Sequence, residues 1–182
     1  MHEKRFRGSP DFLRSPQRVA MMEVDRVVRL TLEGLTAQTA LDVGTGSGLF
    51  AEVLRAQIPS VVAADVSNGM LQRARELTPS VVYVQAEMEW LPFAGETFDI
   101  VFLGHVLHET HDLAHTMKEL KRCARRRIVA LEWPYRDEPM GPPLHHRLRP
   151  EQVVATAQDL EIEHVEVVSL SHMVLYRLNL SS

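Results

Sequence analysis

The sequence predicts an α/β fold: a doubly wound, mostly parallel sheet with an antiparallel edge strand and helices on both faces. Three observations carry this expectation. Apolar spacing alternates between short β-rich runs and stretches of helical period, as successive strand–helix units require. The run FDIVFL at 98–103 is apolar apart from one aspartate, as suits a strand covered on both faces. A glycine-rich segment, LDVGTGSGLF at 41–50, stands between a strand pattern and a helix pattern, where sheets of this kind meet their ligands.

The elements follow in order. Ser15 as cap and Pro16 in the first turn begin a helix with Val19, Val24, Val27, Val28 and Leu30 on its apolar side, ending near Gly34. A strand at Thr39–Val43 enters the glycine loop, and Phe50, Val53 and Leu54 then mark a helix that Ile58–Pro59 stops. Val61–Ala64 reads as a second strand. Ser67 caps a helix running through Met70, Leu71 and Ala74 to Leu77, and Thr78–Pro79 ends it before a third strand at Val81–Val84. The fourth strand is Phe98–Leu103, followed by a helix from about Asp112 to Cys123 and a fifth strand, Ile128–Trp133, entered directly from basic residues. Pro150 opens a last helix, and HVEVVSL and HMVLYRL make an antiparallel pair at one edge. The expected organisation is one domain over 1–182, with residues 1–36 a helical lid or cap and 37–182 the core.

Composition narrows the function. The 182 residues are 45% hydrophobic and 24% charged, and Lys+Arg 20 against Asp+Glu 24 gives a net charge of −4, which argues against a general nucleic-acid binder. A chain this long buries roughly 70% of its unfolded surface and needs neither disulfide nor metal to fold. The single Cys123 cannot close an intramolecular disulfide, and without a cysteine cluster a zinc site lacks ligands; the expected compartment is the reducing cytoplasm. No run approaches the roughly 20 apolar residues of a membrane span, and the basic N-terminus is not followed by the apolar core of a signal peptide.

Gly44, Gly46 and Gly48 sit where backbone must turn sharply and a ligand can approach without meeting a Cβ. A nicotinamide-binding loop is the rival reading, but its GxGxxG pattern is broken here, because Leu49 and Phe50 follow GxGxG. Asp65, at the end of the second strand, is placed to accept hydrogen bonds from a ribose hydroxyl pair. Its alternative is an acid at a helix start, complementing the dipole beside Ser67.

With these residues in view the chain resembles the class I S-adenosylmethionine-dependent methyltransferases, especially the small members related to ubiquinone and menaquinone biosynthesis enzymes. The resemblance runs from about Leu41 to Leu160: LDVGTGSG is similar to the first cofactor motif, DVSNGML to the second-strand acid and helix start, AEMEWLPF to the third-strand loop, FDIVFLGHVLHE to the fourth strand, and RIVALEWP to the fifth. It implies a Rossmann-like fold and S-adenosylmethionine as cofactor, with S-adenosylhomocysteine as product. Asp42 and the loop backbone through Gly44, Thr45, Gly46 and Gly48 would hold the methionine part, and Asp65 the ribose. Val66 and Met70 would pack on the adenine, Glu87 and the backbone of Met88 would contact its edge, and Gly104 and His105 would line the sulfonium end. Two departures stand out: Ala86 replaces a common glycine, and RCARRR reaches the fifth strand without the usual proline–glycine turn.

Methyl transfer from a sulfonium is an in-line displacement on an activated carbon, so alignment and exclusion of water are the main tasks of the protein. An acceptor that must lose a proton also needs a base, and histidine titrates nearest neutral pH. His105 and His108 are the candidates, with Glu109 and His111 close behind; Glu132 is a candidate acceptor for a substrate hydrogen bond and Trp133 an apolar wall or stacking surface. His145 and His146 are adjacent, a poor arrangement for two ligands on one metal ion, so no metal is expected. Arg125, Arg126 and Arg127 with Lys121 and Arg122 read as a solvated helix end. The first 35 residues, with Phe6 and Phe12, are placed to fold over the pocket and the 133–149 loop to form the opposite wall. The leading expectation is methyl transfer to a small-molecule acceptor by a monomer or homodimer, with no nucleic acid and no membrane segment involved. The alternatives are a catalytically inactive nucleoside-binding homologue and, third, an NAD-dependent oxidoreductase.

Overall fold

The computed structural model describes residues 8–138 and 140–181. Seven strands form one sheet in the order β3-β2-β1-β4-β5-β7-β6, where β1 is Thr39–Val43, β2 Ser60–Asp65, β3 Val82–Gln85, β4 Phe98–Gly104, β5 Ala124–Glu132, β6 His164–Ser169 and β7 Val174–Asn179. β1 to β5 run parallel, and β7 enters antiparallel between β5 and β6. The helices are α1 (Pro10–Leu13), α2 (Pro16–Met21), α3 (Val24–Leu32), α4 (Leu49–Arg55), α5 (Asn68–Leu77), α6 (Leu113–Cys123) and α7 (Pro150–Asp159).

Strand side chains alternate between two cores, as a two-sided sheet requires. Ile100, Phe102, Val129 and Leu131 face one way, against Val27 of α3, Leu54 of α4 and Leu71 of α5. Val101, Leu103, Ile128 and Ala130 face the other way, against Met117 and Leu120 of α6 and Val153 of α7. The cap expected at Ser67 is in place, its Oγ accepting from the Met70 N–H at 3.3 Å, and α6 is capped by Asp112, whose Oδ1 accepts from the His115 N–H at 3.0 Å. Among the described residues no helix is long and apolar enough to cross a membrane.

Two expectations need correction. The single helix expected from Ser15 to near Gly34 is two, α2 and α3, with the further short α1 ahead of them, and the Ser15 side chain makes no capping bond. The break before α3 falls at Glu23, which adopts a left-handed φ of 48° while its carboxylate accepts from the Ser171 N–H at 2.7 Å and pairs with Arg26 at 2.9 Å. A contact 148 residues away thus overrides helical continuity. The second correction concerns the arginines of RCARRR. α6 passes directly into β5 at Ala124, four residues earlier than Ile128, so Arg125, Arg126 and Arg127 are strand residues rather than a solvated helix end. Arg125 pairs with Asp99 at 2.8 Å, and the buried Arg127 donates to the carbonyls of Thr31 and Glu33 at 2.8 and 2.9 Å.

Candidate active site

The parallel strands present their carboxyl ends to a cavity of about 820 Å³, bordered on one side by α1 and α2 and on another by the segment from Trp133 to His146. Gly44 and Gly46 contribute backbone to its wall. Gly44 has φ +66°, and a Cβ there would lie 2.5 Å from Val106 Cγ2, so close packing and backbone conformation both call for glycine. The Gly46 N–H donates to Asp65 Oδ2 at 2.8 Å, and the Ser67 N–H donates to Asp65 Oδ1 at 2.8 Å. Asp65 therefore ties the glycine loop to the start of α5, and it lies on the cavity wall with Val66, Ser67 and Met70.

Behind the loop, Asp42 is buried and accepts from Thr45 Oγ1 at 2.6 Å. Burial pushes its carboxyl up to about 7, against the opposing hydrogen bonds from Thr45 and the Ala51 backbone and with help from the nearby Asp65 charge. Asp42, Thr45 and Gly48 shape the loop from outside the cavity wall. Glu87 and Met88 also stand off the wall, contrary to expectation: Glu87 is exposed and forms a bridge with Trp90, and Met88 packs toward the α6 side of the core.

Past the end of β4, His105 has a left-handed φ of 59°, an uncommon state for a residue with a side chain. Its N–H donates to the Leu131 carbonyl at 2.8 Å and its ring stacks on Trp133, with centroids 5.1 Å apart. Nδ1 lies 3.0 Å from Arg18 Nη2, and Nε2 lies 3.1 Å from Met173 Sδ. Burial, then the Arg18 charge, then His108, hold its pKa well below the usual histidine value. The ring thus meets a cationic donor at Nδ1 and a thioether at Nε2. His108 is different. Its Nδ1 lies 2.8 Å from Glu132 Oε2, and its backbone N–H donates to Glu132 Oε1 at 3.1 Å. Both side chains are buried, and His108, with Glu109 beside it, lines the cavity. Glu132 does not line the cavity; its two carboxylate oxygens meet the backbone N–H and Nδ1 of His108. His111 is exposed and off the wall.

Trp133 lines the cavity as expected, together with Phe12; Phe6 lies outside the described residues. The 134–146 segment is held by Arg147, a buried side chain that donates to the carbonyls of Pro142, Pro134, Arg136 and Met140 at 2.8–3.1 Å. Sequence reasoning missed Arg147 and Arg18, both of which also stand over the Trp133 ring, at 5.5 and 5.9 Å. Neither carries a motif; the only local hint is an arginine on the apolar side of a helix start and another beside a proline-rich loop. Among the described residues no group of three or more histidine, cysteine, aspartate or glutamate side chains is placed to hold a metal ion.

Against this geometry, residues 41–127 match the family described as "Methyltransferase domain". That central stretch is similar to a methyltransferase domain. The chain is 35% identical over 99 residues to a demethylmenaquinone methyltransferase of Chlorobaculum parvum, an alignment covering 53% of this chain and 41% of that one. It is 33% identical over 99 residues to a malonyl-[acyl-carrier protein] O-methyltransferase of Legionella pneumophila, covering 52% and 35%. The match thus spans less than half the length of these curated relatives. A solved S-adenosylmethionine-dependent methyltransferase from Aquifex aeolicus shares the fold, with a TM-score of 0.83 at 24% identity over 95% of this chain and 99% of that one. The seven-stranded sheet is accordingly the Rossmann-like arrangement that the sequence predicts.

Proposed function

We propose that the chain is a methyltransferase that binds S-adenosylmethionine along the glycine loop and transfers its methyl group to a small-molecule acceptor in the same cavity. The observation that carries this reading is a single cavity with two chemically distinct halves. One half joins a glycine loop to a strand-end carboxylate, Asp65; the other is walled by Phe12, Trp133 and two histidines. Its volume of about 820 Å³ falls in the range of about 300–1,000 Å³ usual for small-molecule sites.

The residues present fit the cofactor. The Gly44–Gly46 backbone is stripped of side chains where an amino-acid moiety would lie, Asp65 accepts from ribose hydroxyls, Val66 and Met70 cover the base, and Gly104 and His105 border the sulfonium. When bound, the cofactor supplies a methyl group already activated for displacement. Phe12 and Trp133 exclude water from the line of attack. Glu132 fixes the orientation of the His108 imidazole at the cavity wall, where His108 is the group to take a proton from the acceptor. The described part of the 1–36 segment acts as the lid, through Phe12, Leu13 and Arg18.

Calorimetric titration with S-adenosylhomocysteine, with NADH as control, tests the reading. Micromolar binding of the former alone is expected. Asp65→Ala should weaken it by about 1–3 kcal/mol without unfolding the chain, since charge-assisted hydrogen bonds are lost. A folded protein that ignores S-adenosylhomocysteine would overturn the proposal.

A further inference from the structure

Arg18 is a cation inside the cavity that, among the described residues, no carboxylate balances. It projects from α2 into the half of the cavity farther from Asp65, and it is half-buried. Among the described residues no aspartate or glutamate lies within 4 Å of its guanidinium, although eleven other ion pairs join side chains elsewhere in the chain. Its one hydrogen bond goes from Nη2 to His105 Nδ1, at 3.0 Å. Burial lowers its pKa, and no neighbouring acid acts to raise it. A guanidinium nevertheless stays charged.

The surroundings keep this charge in place. His105 is neutral and can only accept from it, Glu132 is committed to His108, and the guanidinium carbon stands 5.9 Å from the ring centroids of both Phe12 and Trp133. Aromatic faces attract a cation but do not neutralise it. A desolvated charge without a counter-ion is costly, and such a group is held where a ligand supplies the opposite charge. The planar fork of arginine is matched to a carboxylate, which it binds through two parallel N–H bonds.

The geometry points to Arg18 as the recognition residue for a carboxylate on the methyl acceptor, which makes that acceptor an apolar or aromatic small carboxylic acid. The inference rests on the reading of the cavity as a methyltransferase site. Phe12 and Trp133 take the apolar body, and the second Nη2 hydrogen of Arg18, together with Nη1 or Nε, remains to grip the acid. The position favours the acceptor over the cofactor's own carboxylate, because the guanidinium stands at His105 and Trp133, beyond β4 and β5, rather than over the glycine loop.

The test loads the protein with S-adenosylhomocysteine and titrates in a panel of aromatic and aliphatic carboxylates, from benzoate and phenylacetate to octanoate, each beside its neutral amide. Trp133 fluorescence and calorimetry read binding. At least one acid should bind at least tenfold tighter than its amide, and Arg18→Gln should abolish that preference while leaving S-adenosylhomocysteine affinity unchanged. Acids and amides that bind alike, or a panel in which no acid binds, overturn the inference; the wild-type comparison needs no variant. Weaker binding of S-adenosylhomocysteine to Arg18→Gln, with unchanged binding of 5′-methylthioadenosine, also overturns it and assigns Arg18 to the cofactor's carboxylate. Loss of S-adenosylhomocysteine binding by the wild type sinks the methyltransferase reading instead, and the acid–amide comparison on the unloaded protein then still decides for or against Arg18.

Discussion

Asp42 shows how far burial can move a single group. Folded, it keeps its proton up to about pH 7, whereas in the unfolded chain it releases it near pH 4. Over that window the native state binds one proton more than the unfolded state, so this group makes the protein less stable as pH rises. Asp42→Asn keeps the acceptor for Thr45 and removes the titration. The stability of the variant relative to the native chain should therefore climb by up to about 1.4 kcal/mol per pH unit between pH 4 and 7, read by urea unfolding at several pH values. Parallel profiles would mean that Asp42 ionises as an ordinary carboxylate. Much of this half of the site is legible in the sequence, because the glycine loop and the Asp65–Ser67 helix start are each a compact local motif at a strand end, joined by a Gly46–Asp65 bond across 19 positions. The other half is not. Arg18 meets His105 across 87 positions and Glu132 meets His108 across 24, and neither separation leaves a period or a motif.

At the scale of elements, strands are read more surely than joints. β1 lies at Thr39–Val43 as expected, since a short buried strand between turn signals has well-marked ends. The breaks in the N-terminal helices and the early start of β5 depend instead on tertiary partners: Ser171 for Glu23, and Asp99 and the end of α3 for the arginines. The loop after β5 is a similar case, ordered by one side chain. Arg147 satisfies four of its carbonyls, and Arg147→Met leaves them without a donor in a partly buried wall. Thermolysin should cut within 134–146 at least about tenfold faster in the variant, a loss of about 1.4 kcal/mol of local stability, with far-UV circular dichroism unchanged. Equal cleavage rates would show that the loop is held by its prolines and by Trp133.

Across the whole molecule, the N-terminal helices are fastened to the C-terminal strands. Arg127 of β5 and Arg177 of β7 reach the last turn of α3: Arg127 donates to Thr31 and Glu33 carbonyls, and Arg177 donates to the Leu30 carbonyl at 2.9 Å and pairs with Glu33 at 2.6 Å and with Glu166. Cations here satisfy helix-end carbonyls and complement the dipole. Arg177→Gln should lower Tm by about 3–10 °C, because charge-assisted bonds of about 1.5–3 kcal/mol are lost in a chain where each kcal/mol moves Tm by about 2–4 °C. An unchanged Tm would show that the fastening contributes nothing. The same layout separates inheritance from specialisation. The stretch that matches the family, 41–127, supplies Gly44, Asp65 and Met70, while Phe12, Arg18, Trp133 and the loop beyond it lie outside that stretch, on either side of it in the chain. Two flanking segments can therefore diverge, lengthen or be exchanged without disturbing the nucleoside end, and proteins that share the central stretch are free to differ in what they modify.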